Sequence, residues 1–437
     1  MKTIIKNGQF LLRENDELIV STANLIIENN MITSIVKSSD DFNDLFSEES
    51  LIEKVNVIDG RNKLYMPGLI NAHTHTPMSL LRGYADDVSL REWFEHIWPI
   101  EAKLDGDAIK WASLLSIVEM IQSGTTCFLD MYDHMEQIAE CVDLAGMRTC
   151  LCRGVIDFCS KQELDAKLQE VRALTVNWHG KAEGRISTMI APHSLTTVTS
   201  ETLNRLVRIA DEFSLPIHTH FAEVTADVAE IKHKYKLSPT RYLLQHGVLN
   251  RKCLLAHAVH IDEDDINILS EHDVSIAHNP SSNLKLGSGM APIPEFLEKN
   301  INVAFGTDSS ASNNRLDVFT EMRATSLLYK GFKHDPELFP ATQVIDMATI
   351  NGARALFLED VGELRVGARA DLIAVNIDQP HFYPHSNLIS SLVYSASGAD
   401  VVDVWVDGRQ LMKNKELLTI DIDKTVHEFK RVYKRFF

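Results

Sequence analysis

The sequence predicts an α/β fold: a (β/α)8 barrel of the TIM type, carried on a small β-sandwich domain assembled from the two ends of the chain. Three observations predict it. Across residues 66–361, short β-rich runs alternate with stretches of helical period, which implies parallel strands joined by helices. There are eight such runs, as a closed barrel requires. The flanking segments, 1–65 and 362–437, lack the alternation and read as short strands separated by turns. A doubly wound open sheet is the structural alternative.

In chain order, the head offers TIIKNGQFLL and ELIVSTANLIIENNMITSIV, then an acidic loop, DDFNDLFSEESLIEK, then VNVIDG. Asn7-Gly8 and Asp59-Gly60 are its turn signals. The eight barrel runs are LINAHTH, TTCFLDM, RTCLCRG, ISTMIAPH, PIHTHFAE, CLLAHAVH, VSIAHNP and NVAFGTDS. Between them AIKWASLLSIVEMIQSG, MEQIAECVDLAGM, ETLNRLVRIADEFS and DDINILSEHD carry the helical period. The tail returns to strands in GELRVGARADLIAVNI and ADVVDVWVDGRQLM and closes on a charged helix, KTVHEFKRVYKRFF. Head and tail are expected to pair in space, with the barrel inserted between them.

Composition narrows the function. The 437 residues are 45% hydrophobic and 24% charged, so a sizeable core needs no disulfide or metal staple. A net charge of −18 repels nucleic acid and anionic membranes, while leaving uncharged nucleosides as candidates. Six scattered cysteines without a CxxC read as free thiols of a reducing compartment. With no signal-like N-terminal segment and no apolar run of membrane-spanning length, a cytoplasmic protein is expected.

The polar residues of the barrel runs fall at one end. His73 and His75 close the first run; side chains at i and i+2 of a strand point the same way. His193 closes the fourth, and His218, His220 and Glu223 close the fifth. His257 and His260 follow on the sixth, His278 on the seventh and Asp308 on the eighth. A lone histidine is usually a satisfied core or surface residue. Polar groups at one end of five or more strands are not explained that way, because that end is where such barrels keep their chemistry. Three imidazoles and a carboxylate suit Zn²⁺ or Fe²⁺, and an ion with an open position lowers the pKa of its water toward 7.

PGLINAHTHTPMSLLRGYADD, HTHFAE, LLAHAVH, HNPSSNLKLGSGMAP and GTDSSASNNRLDVFTEMR occur in this order across nearly the whole chain. In them the sequence resembles the amidohydrolase superfamily and, within it, the 5-methylthioadenosine/S-adenosylhomocysteine deaminases. The resemblance implies a metal-dependent aminohydrolase acting on an adenosine-like nucleoside. It implies one divalent metal, zinc or else iron, held by His73, His75, His220 and Asp308. A single metal is expected because the run ISTMIAPH lacks the lysine that bridges binuclear members. Catalysis would fall to Glu223, His257 and Asp308. Substrate contacts would come from Glu101, Arg153 and His193, from Glu223 and Asp308, and from Ser312. A homo-oligomer is also implied.

One departure bears on specificity. The family's second arginine, beyond Arg153, has no counterpart in GVIDFCSKQELDAKL. Lys161 or Lys167 could stand there only as a point charge, without the bidentate fork that grips a carboxylate. S-adenosylhomocysteine is therefore expected to be a poor substrate, whereas 5-methylthioadenosine, 5′-deoxyadenosine and adenosine lose nothing. The alternatives are a guanine- or cytosine-type base deaminase, a triazine-type chlorohydrolase and, more remotely, a non-catalytic scaffold of the same fold. A cytidine-type zinc deaminase is excluded by the missing CxxC.

Overall fold

The computed structural model describes residues 2–37 and 55–437; the acidic loop expected at 40–54 lies outside them. The head forms five strands, β1 (Lys2–Glu14), β2 (Glu17–Glu28), β3 (Met31–Val36), β4 (Val55–Asp59) and β5 (Lys63–Pro67). β1 pairs antiparallel with β2 and parallel with β4 and β5.

Asn7-Gly8 is not a turn. β1 runs straight through it, with a register shift between Ile5 and Gly8 and Asn7 at φ 57°. The buried residues on either side, Ile4 and Ile5 before it and Phe10 and Leu11 after it, keep the strand paired and leave the extra residue as a bulge. The hairpin turns instead at Asn15-Asp16, both with positive φ, as a two-residue turn matching strand twist requires.

The eight expected barrel runs are all strands. They are β6 (Leu69–Thr74), β7 (Thr125–Tyr132), β8 (Arg148–Val155), a fourth strand broken into β9 (Ile186–Thr188) and β10 (Ala191–Pro192), then β11 (Ile217–Phe221), β12 (Cys253–His257), β13 (Val274–His278) and β14 (Asn302–Phe305). Neighbours are parallel throughout. Parallel bridges Ile190–Ile217 and Thr74–Asp308 join the two halves and close the barrel. Its interior is filled by small and flexible side chains, among them Ala72, Cys127, Cys150, Cys152, Met189, Ala256, Ala277 and Ala304. Gly306 permits the closure: a Cβ there would lie 2.2 Å from Asn279 Oδ1 and 2.7 Å from His73 Cβ.

The four expected helices form at Gly106–Gln122, Met135–Ala145, Ser200–Phe213 and Glu263–Ser270. Asp105, Thr199 and Asp262 cap three of them by accepting from backbone N–H groups of the first turn.

The tail adds β15 (Leu372–Asn376), β16 (Val401–Val406), β17 (Arg409–Lys413) and β18 (Glu416–Leu417). β15 pairs antiparallel with β5, so both ends of the chain share one mixed nine-stranded sheet. A buried ion network ties this sheet to the barrel. Arg148, at the start of β8, meets Asp371 at 2.7 Å and Asp407 at 3.3 Å, and Arg369 meets Asp407 at 2.6 Å. This lies at the amino ends of the barrel strands. All six cysteines are free. Among the described residues no helix is long and apolar enough to cross a membrane.

Candidate metal centre

The carboxyl ends of the barrel strands turn sharply, and the turns aim the site. Ala222 after β11, His257 and Ala258 at the end of β12, and Asp308 after β14 all have φ between 47° and 76°. Side chains other than glycine rarely adopt this region, and such strain concentrates where a fold over-determines a functional geometry.

His73, His75 and Asp308 bring one ligand atom each to within 4.8 Å of one another, and so do His73, His220 and His257. His75 Nε2 lies 3.2 Å from His220 Nε2 and 3.3 Å from Asp308 Oδ1; His73 Nε2 lies 3.6 Å from Asp308 Oδ1. All these residues are buried except His220, which is partly exposed.

Hydrogen bonds at the far side of each ring set which nitrogen faces inward. His75 Nδ1 donates to Met131 O at 2.5 Å, and His220 Nδ1 donates to His193 O at 2.7 Å. His218 Nδ1 donates to Leu254 O at 2.9 Å, so its Nε2 accepts from His73 Nδ1 at 3.0 Å. His257 Nδ1 donates to Asn283 Oδ1 at 2.8 Å. The rings of His73, His75, His220 and His257 thereby turn Nε2 toward the shared centre, while His218 serves to orient His73.

Two of those atoms, His73 Nε2 and His257 Nε2, are buried without a partner. A buried polar atom left unsatisfied is costly, and convergent imidazoles beside a carboxylate are the donor set a divalent ion satisfies. The residues fit a metal. Burial holds His73 and His220 below the ordinary imidazole range, the neutral form in which an imidazole can ligate a cation. Burial also opposes charge on His75, but the Asp308 carboxylate beside it prevails and lifts its pKa to about 9. Burial would raise Asp308; its contacts with His75 and Ser282 hold it well below the carboxylate range instead.

Of the other expected residues, Glu223, Ser312 and His193 touch members of this cluster. Glu223 is buried, 3.9 Å from His257 Nε2, and burial raises its carboxyl above the usual range. Ser312 Oγ donates to Asp308 Oδ2 at 2.9 Å. The His193 ring lies tilted against His220, centroids 4.6 Å apart, and its Nδ1 lies 3.2 Å from Thr197 Oγ1. Glu101 ends the helix Leu90–Glu101 and accepts from the Tyr132 hydroxyl; burial raises its pKa. Arg153 is buried and already matched by two carboxylates, Glu170 at 2.7 Å and Asp133 at 3.1 Å. Lys167 donates to Ile156 O. His260 donates to Ser288 O, and His278 packs between Phe305 and Tyr329; neither joins the cluster.

Sequence reasoning passed over Tyr132, Ser282 and Asn283. Ser282 and Asn283 sit inside HNPSSNLKLGSGMAP, but nothing in an ordinary serine or asparagine singles it out before the tertiary fold is known.

Residues 64–411 match the amidohydrolase family. The chain belongs to that family. Among similar amidohydrolases is the 5-methylthioadenosine/S-adenosylhomocysteine deaminase of Thermoanaerobacter pseudethanolicus, 42% identical over 99% of this chain and 98% of its own. An adenosine deaminase from Xanthomonas campestris, solved with bound zinc, superposes with TM-score 0.92 at 30% identity, covering 99% of this amidohydrolase and 98% of that chain. The zinc-complexed atrazine chlorohydrolase of Arthrobacter aurescens TC1 superposes with TM-score 0.89 over 99% of this chain and 100% of its own, but at 23% identity it shares the fold alone.

Proposed function

We propose that this amidohydrolase removes the C6 amino group of an adenosine-like nucleoside, 5-methylthioadenosine foremost, giving the inosine analogue and ammonia. The carrying observation is the end-to-end likeness, at 42% identity, to an enzyme named for that reaction. The site agrees with it. One divalent ion, zinc by the precedent of the bound relative, would be held by His73, His75, His220 and Asp308. When bound it supplies Lewis acidity, which brings hydroxide within reach at neutral pH.

The chain's own groups do the rest. Asp308 accepts a proton from the attacking water, and His257 Nε2 holds that water in line. Glu223, whose carboxyl burial raises above its usual range, delivers a proton to the purine ring nitrogen. It then takes the water's second proton to the departing amine, so that ammonia leaves and the carbonyl remains. Glu101, steadied by Tyr132, grips the ribose hydroxyls, and His193 and Ser312 line the pocket. A base deaminase needs no such ribose grip.

Arg153 is already paired with Glu170 and Asp133, and the only cations in 154–168 are lysines. Both features disfavour a substrate ending in an amino-acid carboxylate. The test is ammonia release by the zinc-loaded protein on 5-methylthioadenosine, S-adenosylhomocysteine, 5′-deoxyadenosine, adenosine, guanine and cytosine. Methylthioadenosine should lead and S-adenosylhomocysteine should lag by about tenfold or more. Turnover of guanine or cytosine alone would overturn the proposal. Chelation should abolish activity and added zinc restore it.

A further inference from the structure

We propose that Ser282 and Asn283, successive residues of one short helix, are positioning residues that jointly set Asp308 and His257 on either side of the candidate metal centre. The helix Pro280–Lys285 follows β13 directly, and both side chains are buried, Ser282 at 0% and Asn283 at 1% exposure.

Ser282 Oγ donates to Asp308 Oδ2 at 2.5 Å, on the same oxygen that Ser312 Oγ reaches at 2.9 Å. With Oδ2 taken by two hydroxyls, Oδ1 faces His73 and His75, at 3.6 and 3.3 Å, while accepting from Ser309 N at 2.7 Å. Ser282, with Ser312 and Ser309 N, therefore fixes which carboxylate oxygen is offered to a cation. One residue on, Asn283 Oδ1 accepts from His257 Nδ1 at 2.8 Å. That bond fixes the tautomer, so the unpartnered Nε2 points inward, toward Glu223.

The support is itself braced. Glu321 accepts from Ser281 N at 3.0 Å and from Asn313 Nδ2 at 2.8 Å, coupling this helix to the loop that carries Asp308 and Ser312. Lys285 closes the other end on Asp86 and Asn314, both at 2.6 Å. A helix with one turn of freedom could not hold two groups in register; one pinned at both ends can.

Two arms test this on the full-length protein. The first uses zinc alone, in competition with a chromophoric chelator and without substrate. Ser282→Ala should lose about 10–100-fold in zinc affinity, and Ser282→Thr, which keeps the hydroxyl, should recover most of it. Wild-type affinity in Ser282→Ala would overturn the Ser282 assignment. Should Ser282→Ala fail to fold, Ser282→Cys, of similar size but a weaker donor, carries the same expectation.

The second arm rests on the proposed deamination. Asn283→Leu should leave zinc affinity within about threefold while kcat falls about 10–100-fold at nearly constant KM; Asn283→Asp, which keeps the acceptor, should restore kcat. Unchanged kcat, failed rescue by aspartate, or zinc loss equal to that of Ser282→Ala would overturn the Asn283 assignment. If the wild-type protein turns over none of the nucleosides, the substrate reading fails, yet the zinc arm still decides Ser282.

Discussion

Two carboxylates beside members of one histidine cluster are driven in opposite directions. Glu223 has burial dominating and sits above its ordinary range; Asp308 has His75 and serine hydroxyls against it and sits below. Environments that push two acids apart assign them different work, one to enter the reaction as a proton donor and the other as an anion that can hold a cation and accept a proton. Glu223→Gln should accordingly keep zinc, measured by metal analysis, and lose about 10²–10⁴-fold in kcat. His73→Ala should lose metal and turnover together. These residues are legible in the sequence because metal chemistry restricts which side chains can serve, and strand geometry restricts their spacing to i and i+2. Tyr132, Ser282 and Asn283 are not legible, because their roles come from partners on neighbouring elements that only the fold brings beside them. Arg153 shows the converse: the sequence names a cation, and only the fold shows that Glu170 and Asp133 have already claimed it.

Among the elements, the β14 end and the helix Pro280–Lys285 carry the precision of the site. Gly306→Ala would drive a methyl into Asn279 and His73. A loss of about 1–3 kcal/mol in urea unfolding is expected, with weaker zinc binding, since the β6–β14 closure would have to open. Glu321 gives the segment a pH dependence. Burial lifts its pKa from 4.5 to about 7. Between those values the folded chain holds a proton that the unfolded chain has lost, so this group's contribution to stability falls as pH rises through that window. Glu321→Gln should flatten that slope, read from denaturation midpoints at pH 5 and pH 8. The strand–helix alternation made the barrel readable from the sequence. The bulge at Asn7-Gly8 and the break between β9 and β10 were not readable, because both depend on which neighbours a strand finds on each side.

For the whole molecule, the metal-centre residues sit at the carboxyl ends of the barrel strands and the Arg148–Asp371–Asp407 network at their amino ends. Arg148→Met would strand the buried Asp371 carboxylate and leave Asp407 with Arg369 alone. It should cost about 3–5 kcal/mol in chemical denaturation while zinc affinity in the still-folded protein stays at the wild-type value. The sheet shared by both ends has a consequence for synthesis. β5 leaves the ribosome early, but its partner β15 follows only after all of residues 68–371 have been made. At ordinary translation rates that is an interval of roughly tens of seconds. Throughout it one side of β5 is an open edge, ready to pair with any strand that meets it. A chain cut short before residue 372 never covers that edge, so the last strands made decide whether the first ones stay soluble.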